Sequence, residues 1–373
     1  MRIGLNLLYL LPGIVGGTET YAKGLLEGLA EIDQQNEYFV FVNRESETWP
    51  LPEAANFRRV VCPVRAVSRA RRYLFEQLRL PFFIRPFNLQ VLHSLGYMTP
   101  AFLPSGSVVT IHDLLYDYPA PLLRRMLLRF FVTLSARSSD RILTGSEVSK
   151  KQIASRLGVP AEKIRVIPNA PKDRTRRAAD IEAIKRRLGL RDAYLMALSS
   201  FSPSKNIPRL LHALALLERA WPEDHRLVLA GHMPSRGTTL FAEVEKLGLG
   251  KRVVFTGYLP DEELIVLLRH ASVFVFPSLY EGFGIPVLEA MEAGVPVACS
   301  DAASLPEVAG DAALMFDPLS VEAIAAAVMR LIDDPDLRAD LIGRGHRNVA
   351  RFSWRRAAEE TLQVYRDLTR SQE

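Results

Sequence analysis

The sequence predicts an α/β protein made of two β/α/β domains in tandem, each built around a parallel sheet. Three observations carry this. The chain has 373 residues, more than one domain of ~100–200 residues accounts for. Short β-rich runs alternate with helical segments in both halves. The alternation breaks once, at residues 168–180, where two prolines and several charges interrupt any apolar period. Such a stretch is a linker or hinge.

The elements follow in order. Strands are expected at Ile3–Leu8, Tyr38–Val42, Arg59–Cys62, Gln90–His93, Val108–Ile111, Arg141–Thr144 and Arg165–Ile167. Helical spacing falls near 18–34, 70–84, 122–138 and 146–157. After the linker, strands are expected at Tyr194–Leu198, Arg226–Ala230, Arg252–Phe255, Val273–Phe276, Val297–Cys299 and Ala313–Phe316. Helices fit near 205–219, 238–247, 261–270, 286–293, 321–333 and 336–350, with a last one over 352–370. Ile324, Val328, Leu331 and Ile332 show the helical period. The expected domains are therefore 1–170 and 171–352, with a C-terminal helix, 353–373, beyond them. Ligands on such sheets bind at the carboxyl ends of strands, so the cleft between the domains is the expected site.

Composition narrows the function classes. Hydrophobic residues make up 48% and charged residues 24%, which is globular rather than disordered. Two cysteines, Cys62 and Cys299, cannot form a disulfide framework. No Cys/His cluster has zinc-ligand spacing and no Asp-x-Asp suggests a carboxylate-held metal, so no metal is expected. No long uncharged apolar run suits a spanning helix. The apolar start, Ile3 to Leu8, reads as a buried first strand and not as a signal peptide, because Asn6 interrupts it and no cleavage site follows. A cytoplasmic location is expected.

Charge is uneven. The net charge is +5, yet residues 1–170 carry 21 Lys and Arg against 14 Asp and Glu, while the remainder carries 26 against 28. Residues 58–85 hold eight arginines, Arg58 to Arg85, against Glu76 alone, interleaved with aromatic and aliphatic residues. Such a pattern suits an anionic membrane surface, and equally a solvated helix face. No nucleic-acid motif accompanies it, so no nucleic-acid partner is expected.

Four local motifs carry chemistry. Gly16-Gly17-Thr18-Glu19 lies between a strand and a helix, where glycines and free helix N–H groups admit an anion; a plain turn fits equally. Ser199-Ser200-Phe201-Ser202-Pro203-Ser204-Lys205-Asn206 follows the first strand of the second half, and Lys205 near a helix start suits a phosphate. A solvated capped loop is the competing reading. Glu281-Gly282-Phe283-Gly284-Ile285-Pro286-Val287-Leu288-Glu289 runs from a strand end into a helix. Its glycines expose backbone N–H groups, and its two carboxylates suit polyol hydroxyls. Pro286 marks the first helical turn, and Glu289 is expected inside that turn. His112-Asp113 ends another strand, where the imidazole can donate to a hydroxyl or carbonyl or be merely structural. No nucleophile motif or P-loop is present.

Together these motifs resemble the family 4 glycosyltransferases, which have the GT-B fold: two Rossmann-like β/α/β domains facing each other across a cleft. Thr144-Gly145-Ser146-Glu147, Ile167-Pro168-Asn169, Phe255-Thr256-Gly257-Tyr258 and the Glu-x7-Glu pair complete the set, in order along nearly the whole chain. The resemblance implies a retaining transfer of a sugar from a nucleotide-sugar donor, without metal or other cofactor. It implies that Glu289 holds the ribose and that backbone N–H groups around Gly282, Phe283, Gly284 and Ile285 touch sugar and phosphate. Glu281 would hold sugar hydroxyls, Lys205, Ser200 and the Gly16-Gly17 turn would lie at the diphosphate, and Tyr258 and Leu259 at the base. His112 would contact the sugar from the first domain, with Glu19 and Asp113 on the acceptor side. The final helix would cross back onto the first domain. Two departures stand out: Ser204 occupies a position often held by Arg, and Ala170 one usually held by Gly.

The expected activity is transfer of mannose or a related sugar, with GDP-mannose the favoured donor, to a glycan or lipid-linked acceptor in cell-surface polysaccharide biosynthesis. A peripheral place on the cytoplasmic face of the membrane goes with it. UDP-glucose as donor, a sugar-nucleotide epimerase of the same fold and a non-catalytic sugar-nucleotide-binding module are the alternatives.

Overall fold

A computed structural model describes residues 1–114, 122–172, 179–190, 193–199, 202–217, 225–231 and 239–370. The chain divides into two compact units, Met1–Ala170 with Phe352–Glu373, and Pro171–Arg351.

The first unit carries seven parallel strands: β1 (Arg2–Asn6), β2 (Glu37–Val42), β3 (Phe57–Val61), β4 (Val91–Ser94), β5 (Gly106–Thr110), β6 (Arg141–Thr144) and β7 (Ile164–Val166). Their order is β3-β2-β1-β4-β5-β6-β7, so the winding reverses between β1 and β4. The inner strands are apolar on both faces because helices cover both: Ile3, Leu5, Val91 and Val108 are fully buried. The helices are α1 (Gly17–Ile32), α2 (Arg69–Leu74), α3 (Leu80–Phe83), α4 (Leu122–Ser138) and α5 (Glu147–Leu157). Ser146 caps α5 by accepting from Ser149 N at 3.1 Å.

The helix expected over 70–84 is present as a continuous helical run, Arg69 to Phe83, but it is not a regular α-helix throughout. A π-helical turn, Phe75–Arg79, separates α2 from α3. Pro81 lies at the start of α3 and has no N–H for the carbonyl of Gln77, so a regular α-helix cannot run through. The basic cluster is divided as well. Arg58 and Arg59 lie on β3, where Arg58 pairs with Glu37 at 3.0 Å and Arg59 donates to the Trp49 carbonyl at 2.5 Å. Residues 65–85 are what remain of the cluster around the helices.

The second unit contains α6 (Ile181–Leu188), β8 (Tyr194–Ser199), α7 (Ile207–Leu216), β9 (Arg226–Gly231), α8 (Thr239–Lys246), β10 (Val253–Gly257), α9 (Asp261–Arg269) and β11 (Val273–Phe276). It continues with α10 (Ile285–Glu292), β12 (Val297–Ser300), α11 (Leu305–Ala309), β13 (Leu314–Phe316), α12 (Val321–Asp333) and α13 (Pro335–Val349). The parallel sheet has the order β10-β9-β8-β11-β12-β13, again reversing beside its first strand. Its core joins Leu195, Leu211, Val275 and Val328. Helix α6 was not expected. Asp180 caps it by accepting from Glu182 N and Ala183 N, Gly189 ends it at φ 63°, and Ile181, Ile184 and Leu188 hold a helical spacing, with Ile184 buried. Residues 173–178 of the expected linker lie outside the described residues.

The last helix, α14 (Trp354–Arg370), belongs to the first unit and packs on α1. Two glycines one turn apart make the fit. A Cβ at Gly24 would stand 2.1 Å from the Trp354 ring, and one at Gly28 would stand 2.5 Å from the Trp354 carbonyl. Tyr365 on the same helix is fully buried and bonds to His93 Nδ1 at 2.6 Å.

Candidate active site

In each unit the candidate residues gather at the carboxyl ends of the strands where the winding reverses, the place where this class of sheet leaves a crevice.

In the second unit the reversal lies between β8 and β11, which are paired neighbours. The segment after β8 forms a short 3-10 turn, Pro203–Lys205, and α7 starts only at Ile207. Asn206 bridges the two at φ 57°, a left-handed conformation that Asn tolerates better than most residues. Its amide donates to Pro277 O at 3.0 Å and Pro318 O at 2.8 Å. Leu279 N donates to Ser204 O at 2.7 Å. The two loops are thereby fixed to one another.

That fixation brings Lys205 and Glu281 together, 76 positions apart, with Nζ 2.7 Å from Oε1. Both side chains are largely buried, at 20% and 15% exposure. Lys205 Nζ also lies 4.8 Å from the centroid of the Phe276 ring, a favourable cation–π contact. Ser204, standing where Arg is common in the resembling family, is buried and shares a 2.7 Å hydrogen bond with Ser202 Oγ. There is no basic group at that position to assist Lys205.

The Glu281–Gly284 loop is held from below. Ser304 Oγ, fully buried, lies 2.9 Å from Glu281 O and 2.8 Å from Phe283 O. Ser300 Oγ donates to Ser278 O at 2.6 Å. Gly284 precedes α10 at φ 108°, and a Cβ there would meet Leu305 at 2.6 Å. Only glycine suits both demands. Pro286 occupies the first helical turn as expected. Glu289 does not: α10 starts at Ile285, so Glu289 lies in the second turn, 7% exposed. A carboxylate placed there gains little from the helix dipole, because that effect falls off beyond the first turn.

Phe283, Ile285 and Leu259 are buried, Gly282 is buried beside them, and Tyr258 is 61% exposed. Ser200 lies outside the described residues. Two hydroxyls at the same strand ends, Ser199 Oγ and Ser278 Oγ, are buried with no hydrogen-bond partner among the described residues.

In the first unit Gly16 precedes α1 at φ 58° and ψ −122°, a conformation open to glycine. A Cβ at Gly16 or Gly17 would meet nothing within 4 Å, so the N-terminus of α1 is uncovered by protein. Glu19 braces this turn, accepting from Gly13 N at 2.8 Å and from the Trp49 indole at 3.0 Å. Asp113 accepts from the Tyr97 hydroxyl at 3.0 Å.

His112 stands edge-on to Tyr21 and Tyr97, with ring centroids 4.7 and 5.6 Å away. Its Nε2 lies 3.0 Å from Leu95 O. A carbonyl only accepts, so Nε2 carries the proton. Burial pushes the imidazole down to about 4, so the ring is neutral at physiological pH. The ring thus donates to a carbonyl through Nε2, and its Nδ1 is left as an acceptor. Behind it, Tyr365, His93, Thr110 and Tyr21 form a buried hydrogen-bonded chain, with His93 Nε2 to Thr110 Oγ1 at 2.8 Å and Thr110 Oγ1 to Tyr21 at 3.0 Å.

Asn206, Ser300 and Ser304 were given no role from the sequence. Asn206 was visible as part of Pro203-Ser204-Lys205-Asn206. The two serines carried no local signal, because their partners are carbonyls of a loop more than twenty positions away.

Two reversed-winding parallel sheets with candidate residues at their strand ends place the chain among proteins built from two Rossmann-like units. Known proteins agree. Residues 15–171 match the family described as Glycosyltransferase Family 4, and residues 180–348 match Glycosyl transferases group 1. The chain is 31% identical to the O-antigen chain mannosyltransferase B of Escherichia coli, over 98% of this chain and 95% of that protein. It resembles the structure of sucrose-phosphate synthase from Thermosynechococcus elongatus with a TM-score of 0.79 at 19% identity, covering all of both chains. It also resembles Anabaena HepE solved with UDP and glucose, with a TM-score of 0.74 at 17% identity, over 99% of this chain and all of that one. The chain belongs to the family 4, group 1 glycosyltransferases and has their GT-B type of fold.

Proposed function

We propose that this glycosyltransferase is a retaining mannosyltransferase of cell-surface polysaccharide biosynthesis that draws on a nucleotide-sugar donor, GDP-mannose before UDP-glucose. The likeness to a relative named for O-antigen mannosyl transfer supports the sugar and the pathway. The observation that carries the chemistry is the Lys205–Glu281 pair at the β8–β11 reversal, beside the N-terminus of α10.

Cleaving a sugar–phosphate bond builds negative charge on the departing diphosphate, and donors held in place at that charge lower the barrier. Lys205 and the backbone N–H groups of Phe283, Gly284 and Ile285 are assigned to the diphosphate. When it binds, Lys205 exchanges Glu281 for phosphate, and the Glu281 carboxylate turns to sugar hydroxyls. Glu289 is assigned to the ribose, Tyr258 and Leu259 to the base. The Gly16-Gly17 turn offers uncovered helix N–H groups to an anion. His112 accepts from a sugar hydroxyl through Nδ1. The reading includes no metal. The acceptor, a glycan or a lipid-linked sugar, is placed at an anionic membrane surface reached through the arginines of residues 65–85.

The test is release of nucleoside diphosphate from a panel of nucleotide sugars, with and without acceptor glycans. Preferential cleavage of GDP-mannose, with the sugar released or transferred in the α configuration, supports the reading. Binding without cleavage would make the protein a sugar-nucleotide-binding module, and release of an epimerised sugar would make it an epimerase.

A further inference from the structure

Among the described residues, ten of the fifteen exposed large hydrophobic side chains fall within residues 67–130 of the first unit. On α2, the π turn and α3, Leu74, Leu78 and Phe82 are 56%, 63% and 62% exposed. Phe102, in the loop after β4, is 87% exposed. Helix α4 presents Leu122, Leu123, Met126, Leu127 and Phe130, at spacings of one, three and four that place them on one side.

These pieces are neighbours. The Tyr73 ring on α2 lies 5.3 Å from the Phe131 ring on α4. Gln77 in the π turn donates to Thr99 O at 2.9 Å and accepts from Ala101 N at 3.1 Å. Thr99 N donates to Ser135 Oγ of α4 at 3.0 Å. The Phe102 loop is thus bonded to both helical stretches.

The charge around this face is mainly positive, with Glu45 beside the α2–α3 stretch and Asp140 beside the Phe102 loop the acids in its linings. Arg65, Arg71, Arg79, Arg85, Arg125 and Arg129 are exposed, and none makes an ion pair among the described residues. Residues 122–138 contain no acid, and the one acid in 65–85, Glu76, is 2% exposed beside Arg72. A groove of about 850 Å³ between Val67, Leu74 and Leu78 is edged by Arg44, Arg65, Arg71 and Arg79 against one acid, Glu45, which accepts from Ala66 N at 3.0 Å. Apolar patches of this extent are rare on monomers. Apolar side chains with a border in which arginines far outnumber acids match the boundary between acyl chains and anionic headgroups. No helix among the described residues is long and apolar enough to cross a membrane.

We propose that α4, the α2–α3 stretch and the Phe102 loop form one platform that inserts its apolar side chains into an anionic lipid surface. This deepens the membrane reading above and rests on it. It adds α4 and the Phe102 loop, neither in the arginine cluster, and makes contact partly hydrophobic, hence only partly salt-sensitive.

The test uses the full chain in flotation with vesicles of phosphatidylcholine alone or with phosphatidylglycerol, at low and high salt. The variants are Leu123→Glu with Met126→Glu, and separately Arg71→Glu with Arg79→Glu. The proposal expects flotation with phosphatidylglycerol vesicles that persists in part at high salt. It expects a loss of roughly tenfold or more in apparent affinity for the α4 variant, with unchanged circular dichroism and unchanged release of nucleoside diphosphate from donor in solution. If the α4 variant floats like the parent while the arginine variant does not, contact is electrostatic alone and the platform is wrong. If nothing floats and the parent is a dimer that the α4 variant dissociates, the face pairs two copies and the proposal is overturned. A monomer that never floats overturns it too. Donor cleavage, measured apart, reports separately on the assigned chemistry.

Discussion

Lys205 Nζ meets Glu281 Oε1 at 2.7 Å across the carboxyl ends of β8 and β11. The two residues come from loops that Asn206 and the Leu279–Ser204 bond lock together. The cation assigned to phosphate is therefore already engaged before a donor arrives. On the proposed assignment, Glu281 and the diphosphate would compete for it.

That competition separates binding from turnover. Glu281→Gln removes the competing charge, so nucleoside diphosphate should bind as tightly or several-fold more tightly, since a charge-assisted contact is worth ~1.5–3 kcal/mol. Turnover should still fall. Lys205→Met should weaken both. Calorimetric titration with GDP beside turnover measurements checks this. Weaker GDP binding in Glu281→Gln would show that the pair does not act as a competitor.

Ser304 should behave as a positioning residue. Its hydroxyl holds two carbonyls of the Glu281–Gly284 loop. Ser304→Ala leaves these without that donor, at a cost of ~1–3 kcal/mol in stability, and loosens the carboxylate above. Turnover should drop by roughly tenfold or more, as misplacement at a reacting centre does. Ser304→Thr, which keeps the hydroxyl, should restore part of it. Equal losses in alanine and threonine variants would point to volume rather than the hydrogen bonds.

Gly24 is a packing position. With the Trp354 ring where its Cβ would stand, Gly24→Ala must push α14 from α1. Overpacking of this kind costs ~1–3 kcal/mol. Thermal or urea unfolding should show the loss, and Gly24→Ala combined with Trp354→Ala should cost less than the two losses added. Strict additivity would argue against the contact.

Stability should fall in mild acid. Burial holds His93 near 3 and His112 near 4, against an ordinary 6.5. Below 6.5 the unfolded chain takes up protons that the folded protein refuses, so stability is fully present above that pH and lost on the way down towards 4. The sum is on the order of several kcal/mol. Urea midpoints at pH 7.5 and pH 5 measure it, and a flat profile would mean the rings are not buried neutral.

Much of this was legible in the sequence, and what was missed has a physical reason. All thirteen strands were foreseen, because buried parallel strands are continuous apolar runs with clear boundaries. Helix α6 escaped because its apolar face, Ile181, Ile184 and Leu188, spans only two turns and follows directly on the charged linker. The π turn escaped because the run around Pro81 keeps its apolar period while losing a hydrogen bond. Lys205 and Glu281 were each legible as single residues of loop motifs. Their contact was not, since it depends on strand order. Ser304 was invisible, because a serine bonded to distant carbonyls leaves no pattern in its own neighbourhood.

The most direct measurement is the initial rate of nucleoside diphosphate release from GDP-mannose by the parent protein and by Lys205→Ala. The account predicts cleavage by the parent, undiminished after EDTA treatment, and a loss of roughly 10²–10³ in rate for the variant with its fold intact. A folded variant that turns over like the parent, or a parent activity that requires an added divalent metal, would contradict it.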